Sequence, residues 1–140
     1  IPNLSGMTFN SAAMYEFQLC LRVNNSPVDI PFGVDEFLPA GLACGAVGAV
    51  GSTYNYAAPL YHRLIESFNR GDHQDVAACM DKVIAIIRIL VQYGGVAAGK
   101  LAMQLHDIDV GDPRRPLRPM TSEQKRVALE AFRAADFIKS

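Results

Sequence analysis

The sequence predicts an α/β fold in which about three parallel strands, each followed by a helix, lead into an extension built only of helices. Three observations carry that expectation. Short apolar runs at residues 6–9, 28–32 and 46–50 alternate with amphipathic stretches, and fully apolar strands separated by helices mark a parallel sheet covered on its faces. From Ala58 onward the hydrophobic residues recur three and four positions apart, which is helical periodicity. Half of the 140 residues are hydrophobic, enough to line a core in a chain of this size.

Taken in order, residues 6–9 are a brief β-prone run. Ser11 then offers a cap to a helix over AAMYEFQLCLRV, where Met14, Phe17, Cys20 and Leu21 fall near helical spacing, and NNSP ends it. The second strand, residues 28–32, breaks at Gly33. DEFLPAGLACG is a short helix whose Pro39 is tolerated because it lies close to the first turn. AVGAV is the third strand, with side chains so small that a neighbour must pack close against it, and GSTYN is the loop that follows.

The second half changes character. APLYHRLIESFNRG places Leu60, Leu64, Ile65 and Phe68 on one stripe, with Gly71 as a stop. A longer helix over DHQDVAACMDKVIAIIRILVQYGG is expected to bury Val76, Met80, Val83, Ile84, Ile87 and Val91, and to close at Gly94 and Gly95. A third helical run covers roughly Ala97 to His106. The turn-rich DIDVGDPRRPLRP follows, and Thr121 with Gln124 forms a T-x-x-Q capping box for SEQKRVALEAFRAADFI. No repeat or linker divides the chain, so one unit of residues 1–140 is expected, with the strand–helix part at 1–58 and the terminal helices at 59–140.

Charge and composition exclude several classes. A net charge of −1 leaves no excess of cations to follow a phosphate backbone, so nucleic acid is not an expected partner. The densest apolar stretch, VIAIIRIL, is interrupted by Arg88 and falls short of the ~18 residues a membrane span needs. IPNLSG lacks the charged and apolar regions of a signal peptide and reads as the middle of something longer. Cys20, Cys44 and Cys79 are odd in number and set in apolar surroundings, as expected of reduced thiols in a cytosolic protein.

The candidate chemistry is sparse. Asp35 and Glu36 follow a strand, where functional side chains of α/β folds concentrate and where two carboxylates can bind sugar hydroxyls; the same residues also suit the cap and first turn of a helix. Gly45, Gly48 and Gly51 are spaced as G-x-x-G-x-x-G, neither a dinucleotide fingerprint nor a P-loop, although Ser52 and Thr53 after the strand can hold a carboxylate. His62, His73 and His106 have no metal-ligand spacing. Arg114 and Arg115 suit an anion clamp, or a structural role in bonding loop carbonyls.

Taken together, FGVDEFLPAGLACGAVGAVGSTYN, the helices and then GDPRRPL resemble the C-terminal part of the N-acetylneuraminate lyase family, which belongs with dihydrodipicolinate synthase among the class I aldolases. The resemblance implies the C-terminal part of a (β/α)8 TIM barrel with a C-terminal helical extension. It implies that Gly33, Asp35, Glu36 and Ser52 line a pocket for the polyhydroxy tail of a sugar acid. The family's chemistry is reversible cleavage of N-acetylneuraminate to N-acetylmannosamine and pyruvate through a Schiff base on lysine, with no metal or organic cofactor, in a homotetramer.

Two departures accompany the resemblance. GMTFN aligns on the strand whose G-x-K-x pattern carries the Schiff-base lysine, and Thr8 stands at the lysine position. The lysines present, Lys82, Lys100, Lys125 and Lys139, fall on the later helices. A whole barrel takes about 250 residues and eight strands, and three strands cannot close one. The expectation is therefore a lyase-like protein that binds a sugar acid or pyruvate and is inactive in this chain, or a non-catalytic sugar-acid-binding, oligomerisation or regulatory homologue. In either case a homo-oligomer or a complementary N-terminal barrel segment is expected to cover the open sheet.

Overall fold

A computed structural model describes residues 3, 5–22 and 29–138, which fall into two units, Ile1–Gly51 and Ser52–Ser140. The NNSP stop and Val28 lie outside the described residues.

In the first unit, Ser11 Oγ accepts from the Ala13 amide at 3.1 Å, just ahead of helix α1, Met14–Arg22. Asp35–Phe37 is a 3-10 turn that runs into α2, Leu38–Ala43, with Pro39 in the first turn, where its missing N–H costs nothing. Residues 29–33 lie between residues 6–9 and 48–50, joined by parallel bridges Gly6–Asp29, Phe9–Phe32 and Phe32–Ala49. The three expected strands are thus present in their expected parallel order but only as isolated bridges; among the described residues none forms a continuous strand.

Pro31 explains much of that. The Asp29 amide donates to Ser5 O, Met7 to Asp29 O, Phe9 to Pro31 O and Gly33 to Phe9 O, at 2.8–3.1 Å. The rung missing from this alternation is the one from residue 31 to Met7 O, and proline has no N–H to make it. On the other side, Phe32 N bonds Gly48 O and Val50 N bonds Phe32 O, both at 2.9 Å. The core of the unit is Phe9, Phe17, Ile30 and Phe32, with the Phe17 ring 5.1 Å from that of Phe9 and 5.2 Å from that of Phe32.

The second unit is helical. α3, Tyr54–Asn69, begins before the stretch that periodicity marked, and its backbone departs from helix at Ala57 (φ −125, ψ 22). Pro59 accounts for the break, because it cannot donate to Asn55 O and its ring crowds that carbonyl. α4, His73–Tyr93, starts at Asp72, whose side chain accepts from the Asp75 amide at 3.0 Å. The buried stripe of α4 is Val76, Cys79, Val83, Ile86, Ile89 and Leu90. Of the expected stripe only Val76 and Val83 are buried, while Ile84 and Val91 are 48% and 78% exposed. The helix is apolar on most of its circumference, so spacing alone did not select the inward face.

Gly94 (φ +81) ends α4, and Gly95 opens α5, Gly95–Ala102, rather than closing the helix before it. A 3-10 turn, Met103–His106, precedes the irregular residues 107–120. α6, Ser122–Ala134, begins with the expected capping box: Thr121 Oγ1 accepts from Gln124 N at 3.2 Å and Gln124 Oε1 from Thr121 N at 2.9 Å. Tyr56, Phe132 and Phe137 cluster edge to face.

Candidate functional site

Backbone bonds from Met7 and Phe9 hold Thr8 in an extended segment, and alternation puts Phe9 in the core and Thr8 on the exposed side. Its hydroxyl-bearing side chain lines a groove of about 390 Å³ with Gly6, Met7, Asp29 and Pro31. Gly33 lies beside it. A Cβ on Gly33 would come 2.7 Å from Thr8 Cγ2, so the glycine leaves the space that the threonine methyl fills. These two site residues are brought together.

Asp35 is the first residue of the 3-10 turn and is buried, 7% exposed. The turn and α2 follow Val34 and Phe37, neither of which caps with its side chain, so Asp35 stands in the first turn and not at the N-cap position. Its carboxylate instead occupies the place where a Cβ on Gly51 would stand. Spacing suggested only that some backbone or helix approaches the glycines after the third strand; what approaches Gly51 is a carboxylate sixteen positions earlier. Glu36, next in the chain, is exposed.

Ser52 is an exposed residue of the second unit, and its carbonyl accepts from Asn55 Nδ2 at 3.0 Å. It lines a mainly apolar cleft of about 500 Å³, to which Tyr56, Val96, Lys100, Met103 and Val110 contribute. Thr8, Gly33, Asp35 and Glu36 thus belong to the first unit and Ser52 to the second.

The lysines among the described residues are engaged in structure. Lys82 Nζ donates to Asp136 O at 2.7 Å, Lys100 Nζ to Val110 O at 2.6 Å and Lys125 Nζ to Asp112 Oδ1 at 2.7 Å; Lys139 lies outside the described residues. His106 Nε2 is 2.8 Å from Tyr56 O, and His62 and His73 are exposed. No cluster of three or more His, Cys, Asp or Glu side chains suited to a metal occurs among the described residues. The cysteines are unlinked, and burial pushes the Cys79 thiol up. Arg114 and Arg115 are exposed on residues 107–120. No helix among the described residues is long and apolar enough to cross a membrane.

Between α3 and α4, Asp75 accepts from Arg63 Nη2 at 2.5 Å and Nε at 3.1 Å, and from Ser67 Oγ at 2.5 Å. The Arg63 bonds, followed by the Ser67 bond, hold its carboxyl at about 2 against an ordinary 3.8.

Parallel segments with helices between them, followed by a stretch of helices alone, suit part of a β/α barrel. Residues 1–135 match the Dihydrodipicolinate synthetase family, and the chain belongs to it. Within that family its likeness is to N-acetylneuraminate lyases. It is 33% identical over 143 residues to that of Mus musculus, covering 100% of this chain and 45% of the mouse protein. Among solved structures, the Proteus mirabilis N-acetylneuraminate lyase shares 77% identity at a TM-score of 0.95, over 98% of this chain and 46% of that one. The Aliivibrio salmonicida lyase shares 60% identity at a TM-score of 0.95, over 98% of this chain and 46% of that one. The chain spans about half the length of these relatives, in keeping with part of a barrel.

Proposed function

We propose that this chain is the sugar-acid-facing part of an N-acetylneuraminate lyase-like protein and does not itself perform the Schiff-base step. The observation that carries this reading is Thr8, exposed beside Gly33 at the position that the resemblance gives to the lysine. Cleaving a carbon–carbon bond next to a ketone needs somewhere for the electron pair to go. A lysine amine condenses with the ketone, loses water and leaves an iminium that accepts the pair. A threonine hydroxyl adding to the ketone gives only a hemiketal, which has no cationic nitrogen to accept the pair and reverts.

Binding is a separate matter. Asp35 and Glu36 supply acceptors for sugar hydroxyls, Gly33 offers backbone, and Ser52 a hydroxyl beside a cleft. On this reading the chain acts together with a complementary barrel segment or a second copy, which its coverage of about half of each relative supports.

Incubation with pyruvate or N-acetylneuraminate, reduction with borohydride and mass measurement test the chemistry. The expected result is no covalent adduct; an adduct at any lysine overturns the reading. In a full-length barrel context, Thr8→Lys is expected to restore adduct and cleavage, whereas continued inactivity would favour a binding or regulatory homologue.

A further inference from the structure

We propose that residues 107–120 form a strap, fastened by Lys100 and Lys125, that makes one wall of the cleft beside Ser52 and sets its opening. The segment has neither helix nor bridge, beginning at Asp107 with left-handed backbone (φ 59). Two ammonium groups from different helices hold it on either side of Gly111. Lys100 of α5 donates to Val110 O at 2.6 Å, and Lys125 of α6 to Asp112 Oδ1 at 2.7 Å.

Little else fastens it at that point. Both anchoring lysines line a cavity of about 150 Å³ with Gln104, Asp109 and Asp112, and Ile108, Val110 and Leu117 are 47%, 40% and 48% exposed. Met120 buries the far end of the segment, but around Gly111 it is held by two ammonium bonds and little buried side chain, and such a stretch opens at lower cost than the helices around it. Lys100 and Val110 also line the cleft that Ser52 borders, so the bond between them fixes that wall. The consequence for a ligand rests on the sugar-acid reading of Ser52; the strap does not.

Limited trypsin digestion of the full chain tests the strap without a ligand. Arg115 and Arg118 precede prolines and resist cleavage, which leaves the Arg114–Arg115 bond as the arginine site within the strap. Digestion is followed by mass, with circular dichroism as the check on folding. In Lys100→Met with Lys125→Met, cleavage after Arg114 is expected to rise at least about tenfold, the effect of losing one charged hydrogen bond and one exposed ion pair when cleavage follows the open population. Asp112→Asn removes the negative charge of one anchor from outside any helix and is expected to give up to about threefold. If cleavage after Arg114 is as slow in Asp112→Asn as in the parent chain, and no faster in a folded double variant, the strap is not fastened by these lysines.

Discussion

The two units bury their apolar side chains by different means. In Ile1–Gly51 the core is a stack of rings drawn from separate segments, Phe9, Phe17 and Phe32, and the backbone bonds that align those segments join residues far apart in sequence. In Ser52–Ser140 the backbone of each helix is satisfied within itself, and the core comes from stripes along α3, α4, α5 and α6. A helix needs only one face covered, whereas a strand segment needs neighbours along both edges. Residues 6–9 and 48–50 are each bridged on one side among the described residues. The first unit is thus the part of the molecule that depends most on whatever covers it.

Cutting one ring from each core gives the largest effect. Phe17 and Phe132 are both fully buried, and Phe→Ala in a core costs about 3–5 kcal/mol. In Phe17→Ala that loss removes the central ring of a small core, so the Met7, Phe9 and Gly33 amides should lose protection from hydrogen exchange while those of α4 keep theirs. In Phe132→Ala the melting temperature should fall, yet α4 should stay protected by Leu60, Leu64, Val83 and Ile86. Equal loss of protection across both units in either variant would erase the contrast.

The same contrast governs what could be read in advance. Helix boundaries were legible where the signal is local: the Thr121–Gln124 box, the Asp72 start of α4, the left-handed Gly94 that ends it. The parallel order of three segments was legible as apolar runs, but their reduction to bridges was not, because Pro31 breaks a rung whose partner, Met7, is distant in sequence. The inward face of α4 was hidden by its own hydrophobicity, so Cys79, Ile86 and Leu90 were passed over for Met80, Ile84 and Ile87. Thr8 took its meaning from resemblance and not from spacing. The seat of Asp35 on Gly51 had no sequence signal beyond a glycine after a strand, since spacing cannot say which distant atom arrives.

A single substitution made once in each unit sharpens the comparison. Gly41, in α2, lies under the Phe32 ring, and a Cβ there would stand 2.6 Å from Phe32 Cδ1. Gly41→Ala therefore overpacks the first core, at about 1–3 kcal/mol. At Gly99 in α5 the nearest atom, Tyr56 Oη, would be 3.6 Å away, an ordinary contact. Gly99→Ala should then stabilise by up to ~1 kcal/mol, through helix propensity alone. Denaturant midpoints read both, and a change of the same sign at the two sites would count against a tightly packed first core.

The smallest effect lies in the charges, which separate the units again: the ion pairs of the described residues are all in Ser52–Ser140. Asp75 is the one to titrate. Its folded carboxyl sits at about 2, below the ordinary 3.8, so folding favours the charged form. The stabilisation is complete above the ordinary value and drains away as pH falls from about 4 to about 2, where the folded carboxyl finally takes its proton. Asp75→Asn cannot form that charge at any pH. The gap in melting temperature between the parent chain and Asp75→Asn should be constant near neutrality and close towards pH 2, with exchange at Phe9 and Gly33 unaltered by the substitution. Parallel melting curves down to pH 2 would mean that Arg63 and Ser67 hold the neutral side chain as well as the carboxylate, and that α3 and α4 are joined there by shape and not by charge.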